Sequence, residues 1–148
     1  MLLDPNIWGP KYWFFIHTTA MNYSDTPTET TKRKYYDFIQ NLPLFIPDQQ
    51  MAAEFVDLLD KYPVSSYLDS RASFTRWIHF IHNKINRKLG KPEPTYPQFM
   101  EDYYRKYYAY SQDCNSNMVE STKKSKVIIG IAICLLILIY LISKNYIG

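Results

Sequence analysis

Apolar residues recur every three or four positions along most of this chain, and this spacing constrains the fold more than any other feature. The clearest stripe is Phe74, Trp77, Ile78, Ile81, His82, Ile85 and Leu89. A spacing of this kind places side chains on one face of a helix, and the alternation typical of strands is not visible. The sequence therefore predicts an all-α fold.

Start signals bound the first two predicted helices. The first is predicted from Pro10, directly after Gly9, to about Met21. The second opens with Thr-Pro-Thr-Glu at residues 26–29, which predicts a capping box with proline at the first helical position.

Three more helices follow. The third is predicted to start near Asp48, with its apolar face beginning at Met51. The fourth is predicted from residue 69 or 70 to residue 89, because Gly90 and Pro92 then act as a C-terminal cap and a stop. A weaker fifth helix is predicted over residues 97–110, followed by a linker over 111–126.

Composition favours one folded domain and gives little support to nucleic-acid binding. Hydrophobic residues make up 47% of the 148 positions and aromatic residues 17%, which is too rich for a disordered chain. The net charge is +3, and no basic stripe occurs before residue 120.

The run from Val127 to Ser143 contains 17 residues without a charge. It would span about 25 Å as a helix, slightly less than a bilayer core, and Lys126 and Lys144 can extend it by snorkelling. We expect a C-terminal transmembrane helix over 127–143 and a short tail over 144–148; the alternative is a buried core helix. Three lysines precede the run and one follows it, so the folded domain is expected in the cytosol. No N-terminal signal peptide is expected.

The chain has two cysteines, Cys114 in the linker and Cys134 in the apolar run. They cannot form a disulfide framework for the folded part, which fits a reducing compartment. Cys114 can be a free thiol, a lipidation site or an intermolecular bridge, whereas Cys134 is expected to face the bilayer.

Three histidines and two asparagines fall on predicted helical faces. His17, His79 and His82 are either core residues satisfied by their neighbours or ligand contacts. His79 and His82 lie three residues apart, but the chain has no HExxH spacing, so we expect no metal. Asn83 and Asn86 need polar partners among apolar neighbours, and an aromatic cofactor would supply them.

Two blocks resemble the Erv/ALR family of FAD-linked sulfhydryl oxidases. The first covers residues 8–28, with Gly9, Trp13 and His17 followed by the turn from Tyr23 to Thr28. The second covers residues 77–92, with an His-Asn-x-Ile-Asn core at 82–86 and Lys-Pro at 91–92. The resemblance extends over about residues 6–110.

This resemblance implies a four-helix bundle plus a short fifth helix within residues 1–110, FAD at the mouth of the bundle, and a dimer. It also implies relatives that are membrane-anchored and viral. The residues that would line FAD are Gly9, Trp13, His17, Trp77, His79, His82, Asn83, Asn86 and Lys91.

The family oxidises thiols to disulfides with oxygen as acceptor, and its reaction uses a Cys-x-x-Cys at the start of the third helix. By position, Asp48 and Met51 stand there in this chain, and neither can form a thiolate. One hypothesis is a membrane-anchored FAD-linked thiol oxidase acting on an outside protein dithiol. Another is a redox-inactive, FAD-binding pseudo-oxidase that pairs with itself or with an active oxidase at a membrane. A third is a structural membrane protein with an empty, collapsed bundle.

Overall fold

The computed structural model describes residues 3–112, 126, 128, 129 and 131, and this part of the chain is helical without strands. Two short 3₁₀ turns, Leu42–Phe45 and Val64–Tyr67, interrupt the connections. The predicted all-α class with five helices is confirmed. The helices are α1 (Pro5–Met21), α2 (Glu29–Asn41), α3 (Gln49–Lys61), α4 (Arg71–Lys88) and α5 (96–112).

The first two helices begin differently from the sequence prediction. Helix α1 starts at Pro5, where the Asp4 carboxylate accepts a hydrogen bond from the Asn6 amide at 2.8 Å. Aspartate followed by proline is a helix start, which the apolar stripe did not reveal. Helix α2 starts one residue after Thr28, whose hydroxyl accepts from the Thr31 amide at 3.1 Å. The predicted first-turn proline therefore precedes the cap.

The predicted starts of α3 and α4 are confirmed. Asp48 caps α3 by accepting from the Met51 amide at 2.9 Å, and Ser70 caps α4. At the other end of α4, Gly90 has a φ of 63°, a backbone conformation that favours glycine. The Lys91 amide donates to the Asn86 carbonyl at 2.8 Å, which completes a Schellman motif.

One compact unit comprises residues 1–100 and contains the hydrophobic core. Helix α1 packs along α4, and residues from α2, α3 and the 3₁₀ turns fill the interior. The core residues are Ile16, Ala20, Tyr23, Ile39, Leu42, Phe55, Leu58, Leu59, Val64, Leu68, Phe74, Trp77, Ile78 and Ile81.

Tyr23 ties two connections of this unit together. It is fully buried, and its hydroxyl donates to the Leu68 carbonyl at 2.7 Å. In return, Arg71 Nε donates to the Tyr23 carbonyl at 2.6 Å. Burial raises the pKa of the Tyr23 hydroxyl, so the group stays protonated and remains a donor. The chain after α1 is thereby fixed to the start of α4.

A second unit begins at Glu101. Its described part includes the remainder of α5, where Asp102 pairs with Arg105 and with Lys106, the latter at 2.6 Å. The predicted transmembrane helix over 127–143, most of the linker and both cysteines lie outside the described residues, apart from 126, 128, 129 and 131. Within the described part, no helix is long and apolar enough to cross a membrane.

Replacing Tyr23 with phenylalanine should lower the free energy of unfolding by about 1–3 kcal/mol, because the buried Leu68 carbonyl loses its donor. Urea unfolding of the full chain measures this change. Tyr36, which is 40% exposed, provides the matched control, and its replacement by phenylalanine should leave stability nearly unchanged. Equal effects of the two substitutions would contradict a structural role for the Tyr23 hydrogen bond.

Candidate functional site

Aromatic and imidazole rings meet along the seam between α1 and α4. Trp13 and His17 lie one turn apart on α1 and both face His82 of α4. The Trp13 and His82 rings are stacked, with centroids 3.9 Å apart and planes 9° from parallel. His17 Nε2 lies 2.9 Å from His82 Nδ1, which is hydrogen-bond distance. The structure thus brings together three of the predicted site residues.

The contact between the two histidines restricts their protonation. One of the two facing nitrogens must donate and the other must accept, so only one of them carries a proton. His17 is 3% exposed, and its pKa is lowered well below 6.5, mainly by burial and further by His82 and His79. His17 is therefore neutral near pH 7.

His79 and Asn83 are held by the connection between α4 and α5. His79 Nε2 lies 2.9 Å from the Pro94 carbonyl oxygen, and Asn83 Nδ2 donates to the same oxygen at 3.0 Å. Because a carbonyl only accepts, His79 Nε2 must carry the proton. The 3.3 Å approach of Asn83 Nδ2 to His79 Nε2 is then a contact between two donors that share one acceptor. Both side chains fix the connection against α4.

Two further contacts hold this connection in place. Arg87 binds Glu93 through two hydrogen bonds of 2.8 Å, which lower the pKa of the Glu93 carboxyl. Phe99, in the first turn of α5, places its ring 4.2 Å from that of His17 and 5.2 Å from that of His79. Sequence reasoning missed Phe99 and Pro94, because neither lies on the α1 and α4 faces that the helical spacing identified.

The other predicted site residues occupy different surroundings. Trp77 is 1% exposed in the core, and its indole donates to the Tyr62 carbonyl at 3.1 Å. A side chain added at Gly9 would meet no other heavy atom within 4 Å, so neighbouring groups do not require glycine there. Asn86 is half-buried, and its side-chain amide has no hydrogen-bond partner among the described residues. Lys91 is exposed just after α4.

Two contacts link α3 and the turn before it to the helices of this seam. The Tyr12 hydroxyl, next to Trp13, donates to the Phe45 carbonyl at 3.0 Å, three residues before Asp48. On the other side, Lys88 of α4 approaches Glu54 of α3 to 3.5 Å. These contacts join α1 to the turn that precedes α3, and α3 to the C-terminal end of α4.

One other candidate feature, a cavity, is separate from the seam. A cavity of about 490 Å³ beside the start of α2 is lined by residues that include Lys32, Arg33 and Leu68, and it shares none with the seam. Among the described residues, no group of three or more histidine, cysteine or acidic side chains is arranged to hold a metal.

Residues 10–105 match the model of the Erv1 / Alr family, and this range includes the seam and the start of α3. The chain belongs to the Erv1/Alr family. A probable FAD-linked sulfhydryl oxidase of Acanthamoeba polyphaga mimivirus is 35% identical over 100 residues, which cover 67% of this chain and 70% of that protein. The mitochondrial FAD-linked sulfhydryl oxidase erv1 of Schizosaccharomyces pombe is 36% identical over 84 residues, 57% of this chain.

Solved structures share the same fold. The FAD binding domain of Erv1 from Saccharomyces cerevisiae superimposes with a TM-score of 0.60 at 27% identity, over 63% of this chain and 87% of that one. The expected Erv/ALR architecture is thereby confirmed. The chain spans only 46% of the length of the fission yeast relative, so the similarity concerns the helical domain.

The buried His17 should make the protein less stable in mild acid. Below the usual pKa of 6.5 the unfolded chain binds a proton at His17 while the folded chain does not. The unfolded state therefore gains protons, and the free energy of unfolding should fall as the pH drops through this range. Urea unfolding between about pH 7.5 and 5.5 measures the slope.

The matched variant for this test is His17→Gln, which keeps a hydrogen-bonding side chain but does not titrate. Its stability should depend less steeply on pH over the same interval. A slope identical to that of the native chain, or a native chain that becomes more stable on acidification, would refute the account.

Proposed function

We propose that this chain is an FAD-binding protein of the sulfhydryl oxidase type, with the cofactor held along the seam of α1 and α4. The observation that carries the proposal is the contact of Trp13, His17 and His82 within the family-matched range. The names of its relatives, including the mimivirus protein and the yeast domain, support FAD as the cofactor.

The residues along this seam fit a flat, heteroatom-rich group. Trp13 is only half-buried, so part of its indole remains open to a stacking ligand. The open space at Gly9, one turn earlier, leaves room beside it. Asn86 offers an amide without another partner among the described residues, and the exposed Lys91 offers a positive charge for a phosphate. These residues, with His17 and His82, would hold FAD.

His79 and Asn83 contribute to the same site indirectly. Their hydrogen bonds to Pro94 fix the segment that follows Lys91, and the Schellman motif fixes the backbone on its other side. Lys91 is thereby positioned from both directions. Trp77 lies in the core, where its indole already donates to the Tyr62 carbonyl.

The chemistry that FAD supplies when bound is transfer of two electrons from a dithiol to oxygen. Residues 1–113 contain no cysteine, so the helical domain has no thiol of its own to donate these electrons. We place Asp48 and Met51 at the positions of the family's cysteine pair. A helix start lowers the pKa of a thiol, but the Asp48 carboxylate instead caps α3. Oxidase activity then requires a dithiol supplied by another polypeptide.

The absence of cysteine from residues 1–113 also favours a second function, that of a redox-inactive FAD-binding module. Such a protein would act by pairing with another copy or with an active oxidase. The two functions differ in whether an added dithiol is oxidised.

In both cases we propose that residues 127–143 anchor the chain in a membrane with the helical domain in the cytosol. The uncharged run and its flanking lysines support the anchor, and the viral relative supports a viral setting.

Introducing cysteines at both positions should create a dithiol at the start of α3. We expect Asp48→Cys/Met51→Cys to consume oxygen in the presence of a small dithiol much faster than the native chain, as measured with an oxygen electrode and added FAD. Loss of the Asp48 cap should cost about 0.5–2 kcal/mol of stability, so the assay needs a control for folding.

The double variant Asp48→Ser/Met51→Ser is that control, because serine keeps a capping hydroxyl but provides no thiol. It should consume oxygen no faster than the native chain. If the native chain turns over as fast as the cysteine variant, the start of α3 is not the point of electron entry. If the cysteine variant binds FAD but stays inactive, the assigned positions are wrong.

A further inference from the structure

We propose that the tyrosine face of α5, formed by Tyr104, Tyr107, Tyr108 and Tyr110, lies on the surface of a lipid bilayer. This inference rests on the proposed membrane anchor. The four side chains are 44%, 46%, 59% and 50% exposed, respectively. So many exposed aromatic side chains on two turns of a helix mark an interaction surface.

The arrangement on the helix separates rings from charges. At 100° per residue, the four tyrosines fall within an arc of roughly 160°. Stacking pairs Tyr104 with Tyr108, with ring centroids 6.2 Å apart. Asp102, Arg105 and Lys106 lie on the other half of the helix. No charged side chain lies within this arc.

The charges of α5 argue for a neutral contact. Asp102 pairs with Arg105 and, at 2.6 Å, with Lys106. Glu101 and Asp102 balance Arg105 and Lys106, so residues 101–112 carry no net charge. Tyrosine has an apolar ring and a polar hydroxyl, which suit the boundary between headgroups and acyl chains. We therefore assign this surface to the bilayer interface itself and expect no requirement for anionic lipid.

The short linker to the proposed anchor limits how far the tyrosine face can lie from the bilayer. Residues 113–126 separate α5 from the uncharged run, and 14 residues reach at most about 50 Å when fully extended. An inserted anchor would keep the tyrosine face within this distance of the headgroups, at a high effective concentration. Three of the four tyrosines also lie beyond residue 105, where the family match ends, so the family domain does not account for them.

A fluorescent probe on the tyrosine face tests the proposal in the full chain. Cys114→Ser and Cys134→Ala remove the native thiols, and Tyr108→Cys then carries an environment-sensitive nitrobenzoxadiazole label. The control is Ala109→Cys, one residue away on the charged half of α5 and also exposed. Both proteins are reconstituted in phosphatidylcholine vesicles that contain a nitroxide-labelled phosphatidylcholine.

We expect the label at position 108 to be quenched several-fold more than the label at 109, at every ratio of protein to lipid. Equal quenching at the two positions would overturn the proposal. The proposal would also be overturned if the label at 108 is protected from the nitroxide at a high ratio of protein to lipid and loses this protection when lipid dilutes the protein. That pattern would mean that a second copy covers the face. If an alkaline wash removes the chain from the vesicles, the proposed anchor is refuted. The tyrosine face is tested separately, by comparing quenching at positions 108 and 109 before the wash.

Discussion

The hydrogen bond between His17 and His82 is the interaction on which the candidate site depends. It joins α1 to α4 across the seam, and the stacking of Trp13 on His82 adds a second contact at the same level. Because His17 is buried and its pKa is lowered, His17 itself carries no charge into the core near pH 7. The partly open aromatic surface beside it is suited to a flat cofactor.

A second constraint concerns where electrons from a dithiol could reach the proposed FAD. The 3₁₀ turn that precedes α3 is tied to α1 by the hydroxyl of Tyr12, the residue next to Trp13 of the seam. The Asp48 carboxylate caps this helix, and neither it nor the Met51 thioether exchanges electrons with thiols. We propose that these two positions correspond to the family's cysteine pair and that they belong to the same domain as the cofactor site.

From the sequence alone, several helix ends that depend on nearby capping residues were predicted correctly. The cap at Asp48 and the stop at Gly90 were correct because each depends on the backbone within one turn. The start of α1 was missed because Asp4 and Pro5 lie ahead of the apolar stripe. The pairing of His17 with His82 spans 65 positions and could be suggested only by family resemblance. Nothing local identifies Pro94 as the acceptor for His79 and Asn83, because that contact forms when the connection folds back on α4.

The flavin content of the purified 148-residue chain tests the central claim most directly. Visible absorbance after incubation with FAD and removal of unbound cofactor measures the ratio of flavin to protein. The account predicts a yellow protein with stoichiometric FAD, and a Trp13→Ala variant that retains its helical circular dichroism but loses most of the flavin. A folded native chain that stays colourless, or a Trp13→Ala variant that binds FAD as tightly as the native chain, would contradict it.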